Sequence, residues 1–323
     1  MKVRAGVGAN MNPAQIRIAA PGRSWRRWDR WLGRHATRRG RVAVFAHELL
    51  WFGIKQAWAC LFGALMLALL IATWMFWPTQ APLARYDFVT LAAVAIQVAL
   101  LGLHLETRRE AAVIVLFHAT GTAMEVFKTA TGSWVYPGPS LLHIGGVPLF
   151  TGFMYASVGS YIARAWRLFD FRFTRHPPWR TTALLALAIY LNFFADHYGH
   201  DFRIAIFLLV AWAFGPTWIH YRVRFKYRRM PLLLGFALVA MFIWFAENLG
   251  TFTRAWYYPA QRHAWHAVPP SKIGSWLLLM IISYVMVSAL YRRGLDVARL
   301  SRGSPDNSDP ANRSVRSGKS AAS

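Results

Sequence analysis

Two glutamates head a spacing that the chain uses twice. Glu125-Val-Phe-Lys-Thr-Ala-Thr-Gly-Ser-Trp-Val-Tyr-Pro137 and Glu247-Asn-Leu-Gly-Thr-Phe-Thr-Arg-Ala-Trp-Tyr-Tyr-Pro259 both read Glu-x3-Thr-x-Thr-x2-Trp-x-Tyr-Pro. Each copy ends an apolar, helix-length stretch. Each is followed by Val-Pro (Val147-Pro148 and Val268-Pro269) and a second apolar stretch. A carboxyl at the depth of a membrane span is costly and normally faces the interior of the bundle. Two of them in equivalent places form a candidate general acid/base pair, because a carboxyl kept protonated by an apolar setting donates a proton near neutral pH. Trp134, Tyr136, Trp256 and Tyr258 would line the pocket and stabilise cationic character with their ring faces. Competing readings place both glutamates at headgroup depth, paired with Lys128 or Arg254 or hydrogen-bonded to the loops that follow. The Trp-x-Tyr-Pro segments would then be an interfacial aromatic belt and a turn.

Other residues extend the candidate site. His118, Gly121, Thr122 and Glu125 fall at i, i+3, i+4 and i+7, on one helix face, so His118 is a candidate proton partner. The bland alternative for His118 is a structural hydrogen bond. Gln97 and His104 form a weaker i, i+7 pair. Ser157, Ser160, Tyr161 and Arg164 share a face of the next stretch, which makes Tyr161 a candidate for substrate contact and gives Arg164 a topological role. Glu48 and Lys55, also at i, i+7, suggest an architectural ion pair. His197-Tyr-Gly-His200-Asp201 lies at the same depth as the two glutamates. It offers His197 as a second proton partner, and His197, His200 and Asp201 as weak metal ligands. Their spacing fits no tight metal signature, so no metal or other cofactor is assigned. The chain has no Walker loop, dinucleotide fingerprint, Gly-x-Ser-x-Gly elbow or His-Glu-x-x-His, so nothing points to nucleotide hydrolysis.

These side chains need scaffolding that composition describes well. Of the 323 residues, 56% are apolar and 15% aromatic, and eight runs approach the roughly 20 apolar residues that cross a bilayer. They fall at about 49–76, 87–105, 111–127, 147–168, 181–197, 202–220, 230–248 and 272–292. The expected fold is an all-α, multi-pass membrane bundle. Its domain would be 46–292, with halves of about 46–170 and 178–292. Basic, disordered cytoplasmic tails would flank it at 1–45 and 293–323. In the first tail, Trp25, Trp28 and Trp31 recur among arginines, as in a helix lying on anionic lipid. The single cysteine, Cys60, leaves no intrachain disulfide possible.

With the N-terminus inside, alternate loops and both tails hold 31 of the 37 Lys and Arg residues. That is a strong positive-inside bias, with both termini cytoplasmic. It accounts for the net charge of +24 without a nucleic-acid partner. An even number of spans separates the two motif copies, so the halves would be parallel repeats about an axis along the membrane normal. Membrane lipid and an apolar small molecule are the expected partners. The oligomeric state cannot be read from the sequence.

Long motifs carry a family resemblance. Phe-Gly-Ile-Lys55-Gln-Ala-Trp, the Glu125–Pro137 segment, Gly-Val-Pro-Leu-Phe-Thr-Gly-Phe-Met-Tyr-Ala-Ser-Val-Gly-Ser-Tyr161-Ile-Ala-Arg-Ala-Trp, Met-Pro231-Leu-Leu-Leu-Gly-Phe and Ala-Glu247-Asn-Leu-Gly-Thr-Phe-Thr resemble the bacterial multi-pass membrane family known as domain of unknown function 817. The likeness covers about 46–292 and implies a bacterial inner-membrane protein with no assigned activity. The long basic N-terminal tail departs from the family. A shorter likeness joins a span-end glutamate, an aromatic-Tyr segment and Val-Pro-Leu. It is similar to membrane carotenoid hydratases and heterodimer-type lycopene cyclases, and implies proton-initiated chemistry on a polyene with Glu125 and Glu247 at the acid positions. The expected function is intramembrane acid/base chemistry on an apolar or isoprenoid-like lipid. The alternatives are a proton- or cation-coupled transporter or lipid carrier, and a non-catalytic membrane scaffold.

Overall fold

The computed structural model describes residues 40–300 apart from 79, 200, 225 and 226. The Trp25–Trp31 cluster, His200 and most of both tails therefore lie outside the described residues. Nine helices dominate the rest: α1 (Arg41–Ala59), α2 (Leu61–Phe76), α3 (Arg85–Gly102), α4 (Arg108–Ala130), α5 (Phe150–Phe169), α6 (Trp179–Ala195), α7 (Arg203–Phe214), α8 (Leu232–Phe252) and α9 (Lys272–Leu300). Four of them (α3, α4, α8 and residues 272–289 of α9) are long and apolar enough to cross a membrane. The α1–α2 pair makes a fifth if it counts as one span, bent by 66°. Apolar side chains such as Val98, Val115, Leu184, Leu208, Trp212 and Phe242 remain exposed on the helix surfaces, which is compatible with a membrane protein.

Helix α5 sits at the centre, against α1, α2, α3, α4 and α9. Small residues allow its tight contact with α4. A methyl group added at Gly121 would come within 2.6 Å of Tyr155, one at Gly152 within 2.7 Å of the Thr122 hydroxyl, and one at Gly159 within 2.7 Å of Phe117. Closely approaching helix backbones need residues this small. Helix α8 packs on α9, and α9 also packs on α5, α6 and α4.

The expected all-α architecture needs correction at several points. The first run breaks at Cys60 instead of continuing through 49–76, and helix already covers Arg41–Phe45 and 293–300, which were expected to be tail. A two-stranded ribbon, β1 (His143–Ile144) against β2 (Val147–Pro148), precedes α5. The run expected at 202–220 stops at Phe214, where Gly215-Pro216 ends the helix. Beyond that stop the chain forms strand β4 (Trp218–Arg222), which pairs antiparallel with β3 (Arg172–Thr174) and β5 (Tyr227–Pro231). Trp218, Ile219 and Tyr221 of β4, with Thr174 and Phe173 across from the first two, are residue types that suit such a ladder. The three-stranded sheet marks one end of the bundle, and the two motif loops mark the other.

The sheet end is fastened by charges. Arg164 is fully buried, and its guanidinium donates to Glu106 at 2.8 Å and to the Trp58 carbonyl at 3.2 Å. Ser160 and Gln97 also donate to Glu106. Thr107 and Glu110 form a capping box at the start of α4, and Glu110 pairs with Arg167 at 3.1 Å. Arg164 thus has a packed, paired setting rather than a purely topological one. The expected Glu48–Lys55 pair is not formed. Glu48 pairs with Arg228 instead, and Lys55 Nζ donates to the carbonyls of Leu168 and Arg222.

Candidate active site

The two motif copies end their helices with the same turn. In the first, the N–H groups of Thr131, Gly132 and Ser133 donate to the carbonyls of Phe127, Thr129 and Lys128. In the second, those of Thr253, Arg254 and Ala255 donate to Leu249, Thr251 and Gly250. The Thr131 and Thr253 hydroxyls donate to the carbonyls three residues back. Both turns place one residue in the left-handed region, Gly132 at φ 72° and Arg254 at φ 54°. Glycine adopts that conformation at little cost and arginine does not. Contacts of Arg254 with the Gln261 carbonyl (3.1 Å) and the Tyr257 ring hold the costly copy in place.

The turn sends the motif's aromatic residues back over the helix end, where they meet the glutamates. Glu125 is 5% exposed and Glu247 is 4% exposed. On Glu125, Oε2 accepts from Trp134 Nε1 at 2.7 Å and from the Tyr136 hydroxyl, and Oε1 accepts from the Tyr155 hydroxyl of α5 at 2.7 Å. On Glu247, Oε1 accepts from the Tyr258 hydroxyl and Oε2 from Trp276 Nε1 of α9. A tyrosine from the motif and a ring donor from the next long helix therefore serve each carboxyl.

The copies differ over the motif tryptophan. Position 250 is glycine where the first copy has Lys128, and the Trp256 ring occupies the space against Gly250. Trp276 provides the indole N–H that Trp134 provides in the first copy. Neither glutamate has an ion-pair partner among the described residues. Lys128 is buried with its ammonium over the Phe193 ring, and Arg254 is turned to Gln261. Of the sequence alternatives, the structure has the glutamates bonded to the loops that follow.

The two centres meet. Val135 and Tyr257, the residues between Trp and Tyr in each motif, exchange N–H···O bonds of 3.0 and 3.1 Å. Trp134, bonded to Glu125, packs edge-to-face on Tyr258, bonded to Glu247, with ring centroids 6.1 Å apart. The Lys272 ammonium also lies over the Tyr258 ring, 4.9 Å from its centroid. Burial and the adjacent carboxylates push the Tyr136 and Tyr258 hydroxyls well above the usual phenol range, so both remain neutral donors.

Arg85-Tyr86-Asp87, at the start of α3, clamps both loops and was not singled out from the sequence. Arg85 donates to the Thr253 carbonyl at 3.0 Å, and Tyr86 donates to the Ala255 carbonyl at 3.0 Å while accepting from Gly138 N–H. Asp87 accepts from the Ser140 hydroxyl and from the N–H groups of Leu141 and Leu142. Polar neighbours at consecutive positions of a helix start were the available signal. Their partners, 52 to 169 residues away, are not readable from sequence.

The remaining candidates are scattered. His118 lies two turns from Glu125 with its ring 4.5 Å from that of Phe153. Its Nδ1, like the Thr122 hydroxyl beside it, is buried without a hydrogen-bond partner among the described residues. Tyr161 stands apart from the glutamates and donates to Gln56 of α1 at 3.2 Å. His197 packs against Phe127 and Tyr198. Asp201 is engaged by the Arg203 side chain at 2.7 Å. Among the described residues no three His, Cys, Asp or Glu side chains gather as a metal site.

Over residues 48–284 the chain matches the model of a family described as protein of unknown function (DUF817). It is 44% identical over 243 residues to the uncharacterized protein YoaT of Bacillus subtilis (strain 168), a match that covers 75% of this chain and 91% of the relative. No solved structure matches it.

Proposed function

The chain belongs to the family described as protein of unknown function (DUF817), and from that premise we propose that it is an intramembrane enzyme performing acid/base chemistry on an apolar, isoprenoid-like lipid. One observation carries the proposal: two buried carboxyls, each held by a tyrosine and an indole, are joined through the Trp134–Tyr258 contact. One of the pair, protonated, adds its proton to a carbon–carbon double bond. The other, ionised, removes a proton from a neighbouring carbon. The net result is isomerisation or cyclisation, with no proton gained or lost. The carbocation formed between these steps would face tryptophan and tyrosine rings, whose negative faces stabilise it. Tyr136, Tyr155 and Tyr258 can donate to an ionised carboxyl or accept from a protonated one, so both states keep their hydrogen bonds. Trp256 and His118 would complete the walls of the site. Because both carboxyls are closed off beneath the motif loops, the substrate enters when those loops lift.

The wider architecture in this proposal is a bacterial inner-membrane protein of eight spans, α1–α2 counting as one, with both termini cytoplasmic. The sheet end faces the cytoplasm, in keeping with its arginines. The two halves are parallel four-span repeats. The matched helix-end turns, and the Val135–Tyr257 bridge where each motif contributes the same position, support a two-fold relation between them. A proton-coupled carrier is the second reading. The 66° break between α1 and α2 favours it, because carriers build their sites on discontinuous helices. The helices that bear the glutamates, α4 and α8, are continuous.

The test is isotopic. Purified protein is incubated in heavy water with lipid extract from a strain lacking the gene. An enzyme of this kind places deuterium on carbon in one lipid class, and Glu125→Gln and Glu247→Gln do not. Wild-type protein that labels no lipid removes the catalytic proposal.

A further inference from the structure

Outside the motif loops lies a hollow of about 200 Å³, lined by Arg85, Tyr86, Pro137, Gly138, Pro139 and Arg254. Its walls come from both motif loops and from the start of α3. The two arginines on its rim are half-buried, and neither forms an ion pair with a carboxylate among the described residues. The nearest acid along the chain, Asp87, is taken up by Ser140, Leu141 and Leu142.

Arg85 is also fixed in place. Its guanidinium donates to the Thr73 hydroxyl (3.1 Å) and to the carbonyls of Leu70 and Thr253 (both 3.0 Å). A guanidinium has five N–H donors in a rigid fork, so further donors stay available on a group that has already lost its rotational freedom. The bond from Arg254 to the Gln261 carbonyl likewise leaves donors over. Two partly desolvated cations that share a concave site and lack a counter-ion make a receptor for a negative group. The planar, multidentate chemistry of arginine favours an oxyanion, phosphate above all.

We propose that this hollow binds a phosphate group at the outer mouth of the glutamate site. The hollow and the site share a wall. The Tyr86 ring lies edge-to-face on Tyr136 at 6.4 Å, and Tyr136 donates to Glu125. A phosphate held between Arg85 and Arg254 also touches one of the residues, Arg85, that tie α3 to the second motif loop. Binding there therefore bears directly on the loops that cover the carboxyls. This inference deepens the enzyme proposal by giving its substrate class a phosphorylated head, and it rests on that proposal only for its biological meaning. The binding itself stands or falls separately.

The experiment uses full-length protein in a neutral detergent and follows intrinsic tryptophan fluorescence. The probes are inorganic phosphate, a short-chain phosphatidic acid, and the matching phosphatidylcholine as a zwitterionic control. Wild type is expected to bind phosphatidic acid at least tenfold more tightly than phosphatidylcholine. Arg254→Gln should weaken phosphatidic acid binding by tenfold or more, Arg254→Lys should restore part of it, and exposed Arg262→Gln should leave it unchanged. Arg254 is the residue to change, because its guanidinium makes one structural hydrogen bond where that of Arg85 makes three. Inorganic phosphate binding as tightly as phosphatidic acid would identify a free-anion site. Phosphatidic acid binding alone would identify a lipid headgroup. Absence of binding by either phosphate probe, or an Arg254→Gln protein with wild-type affinity, overturns the proposal. If the wild-type protein binds phosphate but labels no lipid with deuterium, the anion site survives and the catalytic assignment does not.

Discussion

Glu106→Gln should be among the most damaging single substitutions in the protein. Both Arg164 and Glu106 have fully buried side chains, 2.8 Å apart. Glutamine preserves the shape, and its carbonyl can still accept from Arg164 and Ser160. Its new amide group would meet the Gln97 amide, a clash that Gln97 relieves by flipping. The lasting effect is loss of charge: a buried guanidinium with the Trp58 carbonyl and a neutral amide as its partners. Breaking a buried ion pair by removing one partner costs about 3–5 kcal/mol. The cost is set by the charge left behind, so Glu106→Gln combined with Arg164→Met should recover part of it. A double-mutant cycle should then give a coupling of about 1–3 kcal/mol. Unfolding in mixed micelles with increasing sodium dodecyl sulfate, followed by tryptophan fluorescence, measures each corner of the cycle. A Glu106→Gln loss under about 0.5 kcal/mol, in the range of an ordinary surface change, would refute the reasoning that this pair fastens α1, α3 and α5.

Gly152→Ala should force α4 and α5 apart at His118 and Thr122 and cost about 1–3 kcal/mol, typical of overpacking, in the same unfolding assay. Asp87→Asn should loosen the segment around Leu141 by about 1.5–3 kcal/mol, the worth of hydrogen bonds to a charged group, seen as faster proteolysis within 138–146. His176 has Nε2 turned onto the buried Tyr284 hydroxyl at 2.8 Å, and desolvation holds it below the usual histidine range. The unfolded chain then binds more protons than the folded one as pH drops through that range, so stability should fall between about pH 7 and 5. His176→Gln should flatten the profile, measured as melting temperature against pH.

Much of the helical scaffold was legible because apolar runs of span length are hard to mistake. The break at Cys60 was not. Residues 49–76 are apolar on both sides of it, and no proline or glycine stands at the bend. Strand β4 was absorbed into a helix because Trp218, Ile219 and Tyr221 prolong the apolar run past Phe214, although Gly215-Pro216 gave warning. At the site, the repeated spacing picked out the two glutamates together with Trp134, Tyr136 and Tyr258, which the fold brings into hydrogen-bond contact with them. Tyr155 and Trp276 lie beyond the motif on other helices, and only folding brings them 30 and 29 residues back to their carboxyls. Trp256 has the same place in the motif as Trp134 but a different neighbour, because Gly250 opens a space that Lys128 closes. Arg164 and Glu106 are 58 residues apart, and periodicity within one helix says nothing of such partners.

The most direct test of the paired-glutamate proposal is mass spectrometry of total lipids and pigments from four otherwise identical strains: wild type, gene deleted, Glu125→Gln and Glu247→Gln, with protein levels matched. One lipid should accumulate in all three defective strains while its isomer disappears. Identical lipid profiles from well-expressed, folded variants would contradict acid/base catalysis by Glu125 and Glu247.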